Sequence, residues 1–245
     1  MIFFVIFQHY NSYGYIKIMC SGYIRSKTTR GVMAQEKLYI VIIGDIIRSR
    51  LQQERAALQK RFQTALGYSA LKFADKVISP PTLTIGDEFQ VVLPVDGPVF
   101  DLLAQFEFSM NYIPFRYGFG LGAIATQINR KAAIGMDGPA FYNAREALES
   151  ARKNGFIYHF KGAGAPYTQS INLLLHWVSL RRASWKLLKK QSYYLYHHRG
   201  MKQKDIARRL EVSQPAVSKI IRDPAFGLAH ETAKHVEFLW KGASS

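Results

Sequence analysis

Apolar residues recur with two different periods along this chain, and the switches between them outline its elements. The β-branched run at 38–43 (LYIVII) suits a strand buried on both faces, and it ends at Gly44-Asp45. Over 50–66, Leu51, Leu58, Phe62, Ala65 and Leu66 fall at helical spacing with Arg55, Lys60 and Arg61 between them, which predicts an amphipathic helix. Pro80 and Pro81 interrupt the chain ahead of a strand at 82–85, and Gly86-Asp87 separates that strand from another at 89–93, the two-residue signature of a hairpin. A second helix is predicted over 97–112, with Val99, Leu102, Leu103, Phe106 and Met110 on one side. Residues 115–126 (FRYGFGLGAIAT) alternate as a fourth strand, Pro139 opens a third helix ending near Gly155, and FIYHF at 156–160 forms a further short strand.

The order βαββαβ, then helix and strand, predicts an α+β fold of the ferredoxin-like, palm-like kind: an antiparallel sheet with helices on one face. The Gly- and Ala-rich stretch at 161–166 reads as a domain boundary. On this reading an α+β domain occupies 33–161 and an all-helical domain 167–245, with a long helix at about 170–198, a helix-turn-helix at 203–222 and a closing helix at about 229–240. Residues 1–32 show no sustained period, so Met33 is read as the start of the native chain and the preceding stretch as a leader foreign to the rest.

Composition narrows the classes. With 48 % hydrophobic and 13 % aromatic residues, the chain of 245 residues can bury a sizeable core, which excludes wholesale disorder. The single cysteine, Cys20, makes neither an internal disulfide nor a multi-thiolate zinc site, and a cytoplasmic location is expected. The apolar run at 1–7 is far shorter than the ~20 residues a spanning helix needs, and no membrane partner is expected. Charge is distributed unevenly. Residues 33–150 hold 12 basic and 12 acidic side chains, whereas 151–245 hold 17 basic and 5 acidic, a surface suited to meeting an anion.

Two Gly-Asp pairs, each following an apolar strand, place Asp45 at the end of the first strand and Asp87 in the hairpin expected beside it. Carboxylates converging from two strands suit a divalent cation with a nucleotide, because Mg²⁺ takes one or two carboxylates and fills its octahedron with phosphate oxygens and water. Glu88 is a third candidate ligand. The competing reading is that Gly-Asp merely turns corners. Gly118, Gly120 and Gly122 invite a phosphate-loop reading, but their alternation puts them on one face of a strand, where close helix packing is the better account.

The segments VIIGDIIRSR (41–50), LTIGDEFQVVL (83–93), RYGFGLGAIAT (116–126) and AIGMDGPAFYNAREAL (133–148) resemble the SatD family of bacterial proteins, with a likeness running from 38 to about 225. More distantly, the first domain is similar to class III nucleotidyl cyclase and GGDEF domains. That resemblance implies metal ligands at Asp45 and Asp87 and a phosphate contact at Arg145, whose other reading is an ion pair with Glu149 one turn on. It departs from the cyclase pattern where Leu83, Ile134 and Phe141 stand in place of a base-reading Lys, a base-reading Asp and an Asn of the transition-state clamp. Base selection is therefore expected to be lost, leaving a degenerate nucleotide-binding or dimerisation domain.

The segment QKDIARRLEVSQPAVSKIIR (203–222) carries the helix-turn-helix pattern. Ile206, Ala207 and Leu210 make the inner face of one helix, Val212 plugs the turn, and Val217 and Ile220 make the inner face of the next. Ser213 is placed to cap the second helix, and Glu211 stands where such turns usually carry Gly. The outer face then presents Ser213, Gln214, Ser218, Lys219 and Arg222 to a major groove, and Lys204, Arg208 and Arg209 to phosphates. The sequence thus predicts a DNA-binding transcriptional regulator, a homodimer on double-stranded DNA with a nucleotide and Mg²⁺ as candidate ligands. The alternative is a Mg²⁺-dependent nucleotidyl cyclase or nucleotidyltransferase with an accessory DNA-binding domain.

Overall fold

The computed structural model describes residues 36–47, 55–84 and 86–243; the expected leader at 1–32 lies outside them. Five strands form one sheet in the order β2-β3-β1-β4-β5, with β1 at Tyr39–Ile46, β2 at Ser79–Leu83, β3 at Glu88–Pro94, β4 at Phe115–Gly122 and β5 at Tyr158–Lys161. β1 runs antiparallel to both β3 and β4, β2 is antiparallel to β3, and β5 is parallel to β4. All eight residues of β1 are buried, as a β-branched run in a central strand requires. The prolines expected to precede β2 lie inside it. They are tolerated because, among the described residues, β2 is an edge strand, and its pairing with β3 shifts register between Ser79 and Thr82.

Helices cover both faces of the sheet rather than one. Ile40 and Ile42 of β1 face a core shared with α1 (Arg55–Lys72) and α2 (Val99–Ser109), whereas Tyr39, Val41 and Ile43 face α3 (Pro139–Asn154). The second cover follows from β4. Its α3-facing column is Gly122, Gly120 and Gly118, opposite Tyr39, Val41 and Ile43. A Cβ at Gly118 or Gly120 would collide with the Ala144 or Ala140 carbonyl of α3, so the glycines serve close helix packing.

The described residues from 36 to 243 form one packed unit on both sides of 161–166. The reason is α8 (Pro224–Ala243), whose Trp240 is fully buried and stacks on Phe100 of α2 with ring centroids 5.8 Å apart, beside Phe119 and Phe160 of the sheet. A buried ion pair between Arg182 of α4 (Ala165–Ala183) and Glu107 of α2, 2.6 Å long, adds a second tie. The long helix expected at 170–198 is broken. α4 ends at Ala183, Trp185 turns inward onto Phe226, and α5 (Leu187–Tyr193) starts afresh and continues into a π turn at Tyr194–His198. The pair α6 (Gln203–Arg209) and α7 (Gln214–Ile221) follows. Among the described residues no helix is long and apolar enough to cross a membrane.

Candidate functional site

Asp45, Glu88 and Arg116 lie abreast on β1, β3 and β4, because the register pairs Asp45 with Glu88 on one side and with Arg116 on the other. Directly opposed residues share a face, here the α3 face. Gly44 prepares the position: a Cβ there would strike the Phe89 ring and touch Tyr117, so only glycine lets both aromatics close over the strand just ahead of Asp45. The glycine column on β4 stops at Gly118, and Arg116, next on that face, begins where α3's closest approach ends. Arg145 and Arg152, two helical turns apart on α3, reach down onto the row.

Each carboxylate is thereby claimed. Arg152 donates to Asp45 Oδ2 at 2.8 Å and Arg116 approaches the same oxygen at 3.5 Å, while Arg145 grips Glu88 with two bonds of 2.5 and 2.7 Å. Arg145 is thus partnered by Glu88 across the sheet, not by Glu149 on its own helix. Hydrogen bonding to Asp45 and to Glu88 holds the Arg152 and Arg145 guanidinium groups above their ordinary pKa, whereas burial pulls Arg116 down.

Asp87 is brought to the same strand ends through its backbone, whose carbonyl accepts from Ile46 N at 3.3 Å, while Gly86 supplies the positive φ of 64° in the turn. Among the described residues no group of three or more His, Cys, Asp or Glu side chains is arranged to hold a metal ion. Two carboxylates among three guanidiniums leave the cluster net positive. Asp45 Oδ1 is buried without a partner, one free oxygen in a cationic surround. That donor set does not fit a lone divalent cation. Asp137, just ahead of α3, lies at the other end of that helix and accepts from the Tyr142 hydroxyl at 2.6 Å.

The second candidate region is the α6–α7 pair. Ile206, Ala207 and Val217 are buried, with Leu210 and Val212 packed against them. Ser213 Oγ accepts from Ala216 N at 3.4 Å at the start of α7, and Glu211 takes a left-handed φ of 54°, the conformation that usually selects Gly. Lys204, Arg208, Arg209, Ser213, Gln214, Lys219 and Arg222 are all exposed. Ser218 is the exception to the expected outer face: it is 6 % exposed, and its Oγ accepts both Nε and Nη2 of Arg222 at 3.1 and 2.7 Å. Gln214 donates to Gln203 across the pair at 3.0 Å.

Sequence reasoning missed Arg116 and Arg152. The spacing of seven from Arg145 to Arg152 was the available signal, since it places both on one stripe of a helix. Arg116 could be found only from the register of β1 on β4.

Comparison with known proteins is consistent with the sequence likeness. Residues 39–235 match the SatD family, and the chain belongs to that family. No curated protein matches it. Among solved structures, two of a bacterial light-regulated adenylyl cyclase align at 14 % and 13 % identity with TM-scores of 0.34 and 0.35, over 52 % of this chain and 44 % of theirs. This chain therefore spans less than half the length of those proteins.

Proposed function

We propose that this member of the SatD family is a DNA-binding transcriptional regulator that reads duplex DNA through α7 and uses its ferredoxin-like α+β part as a rigid scaffold for ligand sensing or dimerisation. One observation carries the reading: a short helix pair closed by Ile206, Ala207 and Val217, turned at a left-handed Glu211, with seven exposed polar or basic side chains on its outer surface. A helix that spends its apolar face on packing and shows cations and amides outward suits a major groove, with Lys204, Arg208 and Arg209 placed for phosphates. The strand order β2-β3-β1-β4 with antiparallel neighbours supports the ferredoxin-like description of the scaffold.

Selection from a random duplex pool, followed by binding titrations over a range of salt, tests the reading. Enrichment of a specific sequence is expected, and Lys219→Ala should flatten the salt dependence by about one unit of log–log slope. Failure to enrich any sequence, with no binding even at low salt, overturns it. Sedimentation of the bound species reports whether two copies engage one site.

The rival reading, a Mg²⁺-dependent nucleotidyl cyclase or nucleotidyltransferase, is supported by the unpartnered, buried Asp45 Oδ1. It requires Arg145 and Arg152 to release both carboxylates. Pyrophosphate release from nucleoside triphosphates with Mg²⁺ or Mn²⁺, abolished in Asp45→Ala, would favour it over the regulator.

A further inference from the structure

α1, α2, the π turn and the end of α6 enclose a cleft of about 820 Å³, within the range of small-molecule sites. Four cations line it: Lys60 and Arg61 from α1, Arg199 after the π turn, and Arg209 at the end of α6. Among the described residues no acidic side chain lines the cleft and none of the four makes an ion pair. Arg199 is steadied by the phenol oxygens of Tyr194 and Tyr68.

The floor has a different character. Half-buried Phe108 stacks on the buried Tyr194 with centroids 4.4 Å apart and an interplanar angle of 26°, so the apolar surface offered to the cleft comes from Phe108 and the half-buried Met201. The floor's polar groups are satisfied internally: Gln105 accepts from Lys72 at 2.7 Å and from the Tyr194 hydroxyl, and donates to Ser109 at 3.0 Å. The cations sit at the rim, without an anionic partner among the described residues. Lys72, just behind the floor, has its pKa lowered by burial and next by the charge of Arg199, as expected where positive charge lacks a counter-ion.

We propose that this cleft is a binding site for a small organic anion with an apolar body, the body lying against Phe108 and Met201 and its carboxylate, sulfonate or phosphate held by Arg61, Arg199 and Arg209. Guanidinium groups match such oxyanions bidentately, and the apolar side of the cleft accepts a body that simple anions lack. Because Arg209 is the last residue of α6, an occupant would tie the helix pair to α1. Only that coupling rests on the DNA-binding reading; occupancy of the cleft does not.

The test titrates the full chain with 1-anilinonaphthalene-8-sulfonate, an aromatic anion, and with the neutral N-phenyl-1-naphthylamine. A single saturable site for the sulfonate is expected, with the neutral dye at least about tenfold weaker and the exposed-residue double variant Arg61→Ala/Arg199→Ala weakened by about tenfold or more. Circular dichroism of the variant confirms that it is folded, and Lys131→Ala/Lys153→Ala, two exposed lysines outside the cleft lining, serves as the charge-matched control. Equal binding by the folded variant, equal affinity for the two dyes, or complete displacement by inorganic phosphate alone overturns the proposal. Displacement by duplex DNA that is lost together with dye binding also overturns it, since the cations would then be DNA phosphate contacts. Absence of DNA binding with dye binding intact leaves the cleft standing and removes only the regulator.

Discussion

At the end of β1, three arginines face two carboxylates, and the charges are spent on one another; around the cleft, four cations face no carboxylate among the described residues. The first cluster has the residue types of a catalytic centre and the wiring of a structural clamp. The second has an unremarkable sequence signature, scattered basic residues on helices, and the wiring of a receptor. What separates them is the partner each side chain meets, which residue type alone does not reveal. A buried guanidinium already holding a carboxylate has little left to offer a substrate, while an unpaired one keeps its full attraction for an incoming anion.

The sharpest way to break this contrast is to remove one charge from each place. Asp45→Ala strands Arg116, whose side chain is only 13 % exposed, and should cost about 3 kcal/mol, lowering the thermal midpoint by roughly 6–12 °C. Arg61→Ala at the cleft rim should stay within about 0.5 kcal/mol of the parent by the same calorimetry. Equal losses at the two positions would mean that the sheet-end ion pairs are as dispensable as surface charge.

Acidification separates the regions next. Burial, reinforced by the neighbouring His176 and His230, pushes His159 and His197 down to about 4, and neither belongs to the sheet-end cluster. Their folded pKa values lie below the ordinary value near 6.5, so between about 4 and 6.5 the unfolded chain binds more protons and folding loses stability as pH falls. The thermal midpoint should decline across that window, and the double variant His159→Gln/His197→Gln should decline less. A midpoint flat or rising from pH 7 to 5 contradicts this.

The smallest expected effect lies in the turn of the helix pair. Glu211→Gly relieves a left-handed non-glycine residue and should stabilise by about 0.5 kcal/mol or slightly more, read as a shift in the denaturation midpoint. A loss of stability would show that the Glu211 side chain contributes more than its backbone strain costs.

Much of this was legible where the signal is local. A continuous β-branched run exposed β1, a period of two exposed the Gly118-Gly120-Gly122 column, Pro139 and Gly155 bounded α3, and helical spacing exposed α2 and the buried residues of α6 and α7. Asp45 was singled out correctly as a strand-end residue, but its partners were not legible, because Arg116 depends on strand register and Arg152 on where α3 docks. The break at Ser184 was hidden because Trp185 fits helical spacing and leaves it only to bury against Phe226. Ser218 looked like an outward polar residue and is instead the acceptor that fixes Arg222. The cleft was invisible for a simpler reason: its cations come from three separate stretches of chain, and each alone reads as a solvated face.

The prolines of β2 carry a further consequence. An edge strand normally offers a row of free N–H and C=O groups to any other strand that drifts past. Here Pro80 and Pro81 make up two of five residues in the strand that is outermost among the described residues, and neither has an N–H to give. The sheet is thereby stopped from growing in that direction by a gap in its own donors. A chain this rich in β-branched and aromatic residues is shielded on that side from templated self-addition, and copies meeting there must do so through side chains rather than by extending the backbone ladder.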